Sequence, residues 1–198
     1  MTSFSDLKKI RRDLRFQRRQ VNQFVHVQSE AKIMSHLLNF PKFKYAKKIG
    51  IYLHAFGEIQ TQLIIHKCFE LGKEVYLPMI CNMDQKLVWV RIRRQQYINH
   101  RFSQHPLGMK EPMQSRGLNV SKLDLLFMPL LACDTFGTRI GMGGGYYDRT
   151  LANAVHKPIR VGLAHDFQLI NQRLPKQKWD QSLDYLFTPN FKLHFKRY

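Results

Sequence analysis

Four glycines fall within five positions of the stretch Arg139-Ile140-Gly141-Met142-Gly143-Gly144-Gly145-Tyr146-Tyr147-Asp148-Arg149. Ahead of them the apolar run Leu123 to Cys133 reads as a buried strand, and behind them Tyr146 to Val155 reads as a helix. A glycine-rich turn between strand and helix lets backbone N–H groups crowd around an anion, helped by the positive end of the helix. Near-adjacent glycines weaken a fold unless backbone has to come close to something. The flanking arginines suit phosphate, and Asp148 in the first helical turn suits a divalent cation carried by it. The local chemistry favours a nucleotide or another polyphosphate.

Two familiar phosphate-binding loops do not fit this spacing. A Walker loop needs a lysine followed by serine or threonine after its last glycine, and no lysine lies within the run. A dinucleotide fingerprint needs glycine three positions after Gly143, where Tyr146 stands.

The rest of the chain reads as α/β. Leu7 to about Gln20 is helical, with Leu7, Ile10 and Leu14 on one face. Lys8, Arg12, Arg15 and Arg19 form a cationic stripe on another face. Phe24 to Asn39 is a second helix, expected to turn Val27, Ala31, Met34, Leu37 and Leu38 inward, and Pro41 follows its end. A strand at Lys48–Leu53, an amphipathic helix at Thr61–Leu71 capped by Gly72, and a strand at Val75–Ile80 make a βαβ unit with parallel strands. Lys86–Ile92 alternates as a strand, while residues 93–122, with Pro106, Gly108, Pro112 and Gly117, read mostly as a long loop. Strands at Leu123–Leu130, Arg160–Ala164 and Tyr185–Thr188 complete a single three-layer α/β/α domain over residues 1–198. Its central sheet is mostly parallel, basic helices precede it, and ligands are expected at the carboxyl ends of the strands.

Composition narrows the function classes. A chain of 198 residues, 44% hydrophobic, can bury one core. No apolar stretch approaches the roughly 20 residues that span a bilayer, and no apolar segment follows the charged amino end, so a cytoplasmic protein is expected. Cys68, Cys81 and Cys133 are widely spaced and odd in number, as reduced core cysteines would be. The net charge of +18 is concentrated early: residues 1–50 hold twelve basic residues and three acids, or +9. That balance attracts polyanions, among them nucleic acid and ATP. A nucleic-acid module is the competing reading, but it rests on charge alone, because no aromatic–basic alternation or RNA-recognition signature appears. A different phosphate-binding α/β enzyme is a second alternative.

The segment from Met128-Pro129-Leu130-Leu131-Ala132-Cys133-Asp134 through Asp148-Arg149 closely resembles the signature of the 5-formyltetrahydrofolate cyclo-ligase family, Pro-x-x-Ala-Phe-Asp-x-x-Gly-x-Arg-Leu-Gly-x-Gly-Gly-Gly-Tyr-Tyr-Asp-Arg. Further matches run in order along the chain: Lys8 and Arg12 with Arg18-Arg19, Gly57-Glu58-Ile59-Gln60-Thr61, Gly108-Met109-Lys110-Glu111-Pro112, Gly162-Leu163-Ala164 with Gln168, Leu174-Pro175 and Asp180. Three positions depart from the pattern. Gln60 replaces an acid, Cys133 a phenylalanine, and Trp179, beside the expected metal ligand Asp180, a histidine.

The resemblance implies ATP-driven cyclisation of 5-formyltetrahydrofolate to 5,10-methenyltetrahydrofolate. It assigns ATP to Lys8, Arg12, Arg139, Ile140, Gly141, Met142, Gly143, Gly144, Gly145, Tyr146 and Tyr147, with Arg139 and Tyr146 positioning the reactants. It assigns the folate to Glu58 with Met142, Gly143, Gly144, Gly145 and Tyr146, and Mg²⁺ to Asp148 and Asp180. No nucleophilic side chain is expected, and His54 and His165 are expected to bind nothing. The partners expected are the two substrates, without membrane or nucleic acid, and the chain is expected to act as a monomer.

Overall fold

The strand β6 (Leu125–Pro129) shows how the chain is layered. Leu125, Leu126, Phe127 and Met128 are all fully buried. Leu125 and Phe127 join one core cluster while Leu126 and Met128 join another, so both faces of the strand are covered. A strand covered on both faces reads as a continuous apolar run, which is how this one appears in the sequence.

The computed structural model describes residues 6–81, 83–113 and 116–196. After α1 (Asp6–Arg19), α2 (Gln23–Leu38) and α3 (Pro41–Tyr45) come β1 (Lys48–Gly50), α4 (Gln62–Glu70), β2 (Glu74–Cys81) and β3 (Lys86–Ile92). Then follow α5 (Arg94–Ile98), β4 (Phe102–Gln104), β5 (Lys110–Pro112), β6, β7 (Ala132–Asp134) and β8 (Arg139–Ile140). The remainder is α6 (Tyr146–Leu151), β9 (Ile159–Leu163), β10 (Leu169–Ile170), β11 (Tyr185–Phe187) and β12 (Lys192–His194).

The main sheet has the order β12-β11-β9-β6-β1-β2-β3. Its five inner strands are parallel, and antiparallel β3 and β12 close its edges. The α/β architecture with a mostly parallel sheet is therefore present. Ile33 and Leu37 of α2, Phe43 of α3 and Ile64, Ile65 and Cys68 of α4 pack on one face. Leu151 of α6 packs on the other, with Trp89 and Leu123. A small sheet, β10-β7-β8, carries α1, whose Leu14 packs with Ala132, Ile140 and Leu174 while Leu7 and Ile10 flank them.

Several expectations need correction. The apolar run does not continue as one strand to Cys133: it ends at Pro129, and the chain resumes as β7 in the small sheet. Residues 93–122 are more ordered than a loop, because α5, the β4–β5 hairpin and a 3-10 turn at Val120–Lys122 lie within them. Tyr97 and Phe102 pin this excursion to the core. On α2, Val27, Ala31 and Leu38 face outward, and His26, Ser29 and Glu30 are buried beside Ile33, Met34 and Leu37. The helix is turned this way by Glu30, whose carboxylate accepts the Leu63 N–H at 2.7 Å at the start of α4. α6 ends at Leu151 rather than Val155, and the Arg160 guanidinium takes the Ala154 carbonyl at 2.9 Å just beyond.

The small sheet hangs on Asp134. Its fully buried carboxylate accepts N–H groups of Phe136 at 3.0 Å, Thr138 at 2.8 Å and Leu174 at 3.0 Å, joining the β7–β8 turn to the segment after β10. Stranding buried donors costs about 1–3 kcal/mol each. Asp134→Ala is expected to lower unfolding free energy in urea by about 3 kcal/mol or more, and Asp134→Asn by less, because one oxygen remains to accept. An alanine variant as stable as the parent would contradict this role.

Candidate active site

A cavity of about 660 Å³ opens between the glycine-rich turn, the loop after β1, the β4–β5 hairpin and the segment before β11. These pieces meet because α1 lies across the small sheet. From α1, Arg11 Nε donates to the Gly141 carbonyl at 3.2 Å and Arg15 Nη2 to the Met142 carbonyl at 2.9 Å. On the far side, Arg149 Nη2 donates to the Gly144 carbonyl at 2.7 Å, and its guanidinium lies 5.2 Å from the Tyr146 ring centre. Among the described residues, no backbone N–H from Met142 to Asp148 donates a hydrogen bond within the protein. Carbonyls held from outside and free N–H groups are the conditions for an anion cradle. Gly143 and Gly145 have φ of +105° and +68°, which L side chains rarely adopt, so the turn needs glycine there.

Next to the turn, Arg139 and Asp148 pair at 2.8 Å, with side chains 5% and 22% exposed. The Asp148 Oδ1 that accepts from Arg139 also accepts the Gln181 N–H at 2.9 Å. Arg139 lies 5.8 Å from the Tyr147 ring centre. Asp180 Oδ2 accepts the Gln177 N–H at 2.7 Å, which closes a short turn on the same cavity wall. The exposed indole of Trp179 stands at this rim.

At the other end Glu58 sits in a tight loop. Its Oε2 accepts the Ala55 N–H at 3.0 Å, and its Oε1 lies 3.7 Å from Arg18 Nη1. Burial pushes the Glu58 carboxyl up to about 7, against the pull of Arg18 and the Ala55 N–H. Tyr52 and Tyr147 are pushed up as well, by burial first and by Glu58 second. Burial lowers the Arg18 guanidinium, and Glu58 opposes that shift. His165, behind this loop, is lowered to about 4, mainly by burial, and pairs through Nε2 with the Gly57 carbonyl at 3.3 Å. It is neutral at physiological pH and serves the loop.

The cavity brings together most of the residues singled out from sequence: Glu58, the run from Arg139 through Asp148, and Asp180. It does not include Lys8 or Arg12. Because α1 docks through Leu7 and Leu14, the residues at the same helical phase, Arg11 and Arg18, reach the cavity. Lys8 and Arg12 lie one position off that phase and are exposed, Arg12 pairing with Asp13 at 3.0 Å. The alternation Leu7, Arg11, Leu14, Arg18 was the available signal. Gln60 also turns away from the cavity, donating to Gln23 at 3.3 Å. Glu111 is structural toward the hairpin, accepting the Ile80 N–H at 2.9 Å.

An α/β sheet whose strand ends and glycine-rich turn enclose one cavity, with a buried carboxylate at one end and an arginine–aspartate pair at the other, is the framework on which comparison with known proteins can be read. Residues 4–189 match the 5-formyltetrahydrofolate cyclo-ligase family, and the chain belongs to that family. It is 36% identical over 179 residues to the 5-formyltetrahydrofolate cyclo-ligase of Haemophilus influenzae, covering 88% of this chain and 92% of that one. It is 36% identical over 159 residues to the enzyme of the same name from Escherichia coli K12, covering 78% and 84%. The solution structure of Aquifex aeolicus 5,10-methenyltetrahydrofolate synthetase superposes with a TM-score of 0.81 at 26% identity, over 97% of this chain and 94% of that one.

The raised Glu58 carboxyl has a measurable consequence. Between its ordinary value of 4.5 and about 7, the folded protein holds a proton that the unfolded chain releases. Stability therefore falls as pH rises through this window, and ionised Glu58 weighs against the fold above it. Glu58→Gln removes this dependence. The unfolding free energy of Glu58→Gln minus that of the parent is expected to grow by about 2–3 kcal/mol from pH 4.5 to pH 8. A difference flat with pH would show that Glu58 titrates normally.

Proposed function

We propose that this chain catalyses the ATP- and Mg²⁺-dependent cyclisation of 5-formyltetrahydrofolate to 5,10-methenyltetrahydrofolate, with release of ADP and phosphate. The observation that carries the reading is one cavity that joins a glycine-turn N–H cradle to a buried carboxylate. The cradle suits the phosphates of ATP, and Arg139 and Arg11 add positive charge beside it. Glu58, when ionised, accepts the paired N–H donors of the pterin.

The chemistry asks for little more. A formyl group on nitrogen is a poor electrophile, and its oxygen is a poor leaving group. Transfer of the γ-phosphoryl group to that oxygen forms a P–O bond and breaks the bond to ADP. N10 then attacks the formyl carbon, its proton departs, and the C–O bond breaks to release phosphate. Such a sequence depends on positioning and on neutralising charge, so no protein nucleophile is required. Tyr146 borders the reacting groups, and Arg139 steadies both Asp148 and the turn.

Asp148 and Asp180 would hold Mg²⁺. Among the described residues each makes hydrogen bonds through one oxygen, which leaves another for a cation. No group of three metal-type side chains occurs among the described residues. Mg²⁺ is commonly held by one or two carboxylates together with substrate phosphates, the role Asp148 and Asp180 would fill. When bound, it would neutralise charge on the transferring phosphoryl group. The described residues contain no helix long and apolar enough to cross a membrane.

Mixing protein, ATP, Mg²⁺ and 5-formyltetrahydrofolate should produce the near-ultraviolet absorbance of the methenyl product, and no absorbance under any condition would defeat the reading. Asp148→Asn is expected to raise the Mg²⁺ requirement about tenfold or more while folate binding without nucleotide persists. An unchanged Mg²⁺ requirement removes Asp148 from the metal site. Arg11→Ala is expected to raise the ATP KM about tenfold, the worth of a charge-assisted contact, and Arg12→Ala to change it little. The reverse ranking would return the nucleotide role to Lys8 and Arg12.

A further inference from the structure

We propose that Arg18 is a positioning residue for folate recognition: its buried guanidinium fixes the Glu58 loop and favours the ionised carboxylate that the substrate's donors require. This rests on the role given to Glu58 above and goes beyond it.

Arg18 is 1% exposed, on the inner face of α1. Its Nε donates to the Phe56 carbonyl at 2.8 Å, and Nη1 reaches the Leu130 carbonyl at 3.4 Å and Glu58 Oε1 at 3.7 Å. Nη2 rests against Met142 Sδ at 3.9 Å. Leu130 is itself held, because Gln168 donates to its carbonyl at 2.8 Å. The Glu58 loop closes on the same helix. Gly57 has φ +76°, and a Cβ there would stand 2.3 Å from the Arg18 carbonyl. One side chain thus touches the glutamate loop, the end of β6 and the glycine-rich turn.

The charges around Glu58 give that contact its meaning. Arg18 on α1, Tyr52 beyond β1 and Tyr147 on α6 face the carboxylate. Both tyrosines stay neutral near physiological pH, because burial holds their hydroxyls above the ordinary range. Arg18 is the cation in this set. With Arg18 in place Glu58 ionises near pH 7; without it, burial would leave the group protonated there, and an O–H would then meet the pterin's own N–H donors. The arginine need not touch the substrate to decide whether the glutamate can.

The test compares Arg18→Gln and Arg18→Met, which remove the charge, with Arg18→Lys, which keeps it. Glutamine can still donate to the Phe56 carbonyl, so it provides a folded neutral variant if methionine unfolds the protein. One measurement needs no substrate. The pH at which Glu58 ionises is read from the difference in unfolding free energy between each variant and its Glu58→Gln partner across pH 5 to 9. The neutral variants are expected to raise this midpoint by about one pH unit or more, and lysine to hold it near the parent value. The second measurement is 5-formyltetrahydrofolate binding over the same range. The neutral variants should lose affinity at pH 7 and recover it at pH 9, and lysine should restore binding at pH 7. A midpoint unmoved in the neutral variants, or affinity lowered equally at every pH, overturns the proposal and leaves Arg18 a packing residue. Absence of folate binding in the parent would count against the function proposed for this chain, while the substrate-free midpoint would still decide the electrostatic role of Arg18.

Discussion

The shape of the active site depends on which half of each peptide group in the glycine-rich turn faces inward. A peptide's N–H and C=O point in nearly opposite directions, so fixing the carbonyl fixes the donor. Here the carbonyls of Gly141, Met142 and Gly144 are occupied by Arg11, Arg15 and Arg149. Among the described residues the backbone N–H groups from Met142 to Asp148 make no hydrogen bond, and the arginines that hold the turn also bring positive charge to it. Glycine at Gly143 and Gly145 permits the backbone path, but arginines from two helices select it. The turn and α1 are therefore joined through Arg11 and Arg15.

The same economy governs the acids. Glu58 and Asp148 lie at opposite ends of the cavity, and each has an arginine partner and a backbone N–H. Buried ion pairs contribute little net stability, since desolvation offsets most of the attraction. Their benefit here is geometric. A carboxylate held by a guanidinium and an amide keeps one orientation. Buried Tyr52 and half-buried Tyr147 give the cavity wall low polarity, and a charge beside such a wall acts strongly.

Much of this was legible in the sequence because it rests on local chemistry. The glycine cluster, the apolar strand β6 and the βαβ unit around α4 each show within a short window, and each took its expected place. The errors arose where a distant partner decides the outcome. Val27 and Ala31 look like core positions until the inward pull of Glu30 on the start of α4 sets the rotation of α2. The hairpin β4–β5 has two three-residue strands, too short for a period to show, and is held by Glu111 and Phe102. On α1 the cationic stripe was visible, yet a helix so rich in arginine carries two such stripes. Only the docking of Leu14 among Ala132, Ile140 and Leu174 tells which faces the cavity. Arg18 seemed one of a basic pair; its burial follows from carbonyls 38 and 112 residues away.

The docking of α1 has a consequence for how the molecule comes into being. The helix precedes the sheet, but its apolar partners and most of its hydrogen-bonding carbonyls lie more than 110 residues later, with Leu174 later still. Contacts so distant in sequence must wait for the chain that supplies them and close a long loop when they form. During synthesis the basic helix would leave the ribosome long before it had anywhere to bind. The sheet can begin to assemble around β1, β2 and β6 before then, but the cavity cannot close until α1 finds the small sheet.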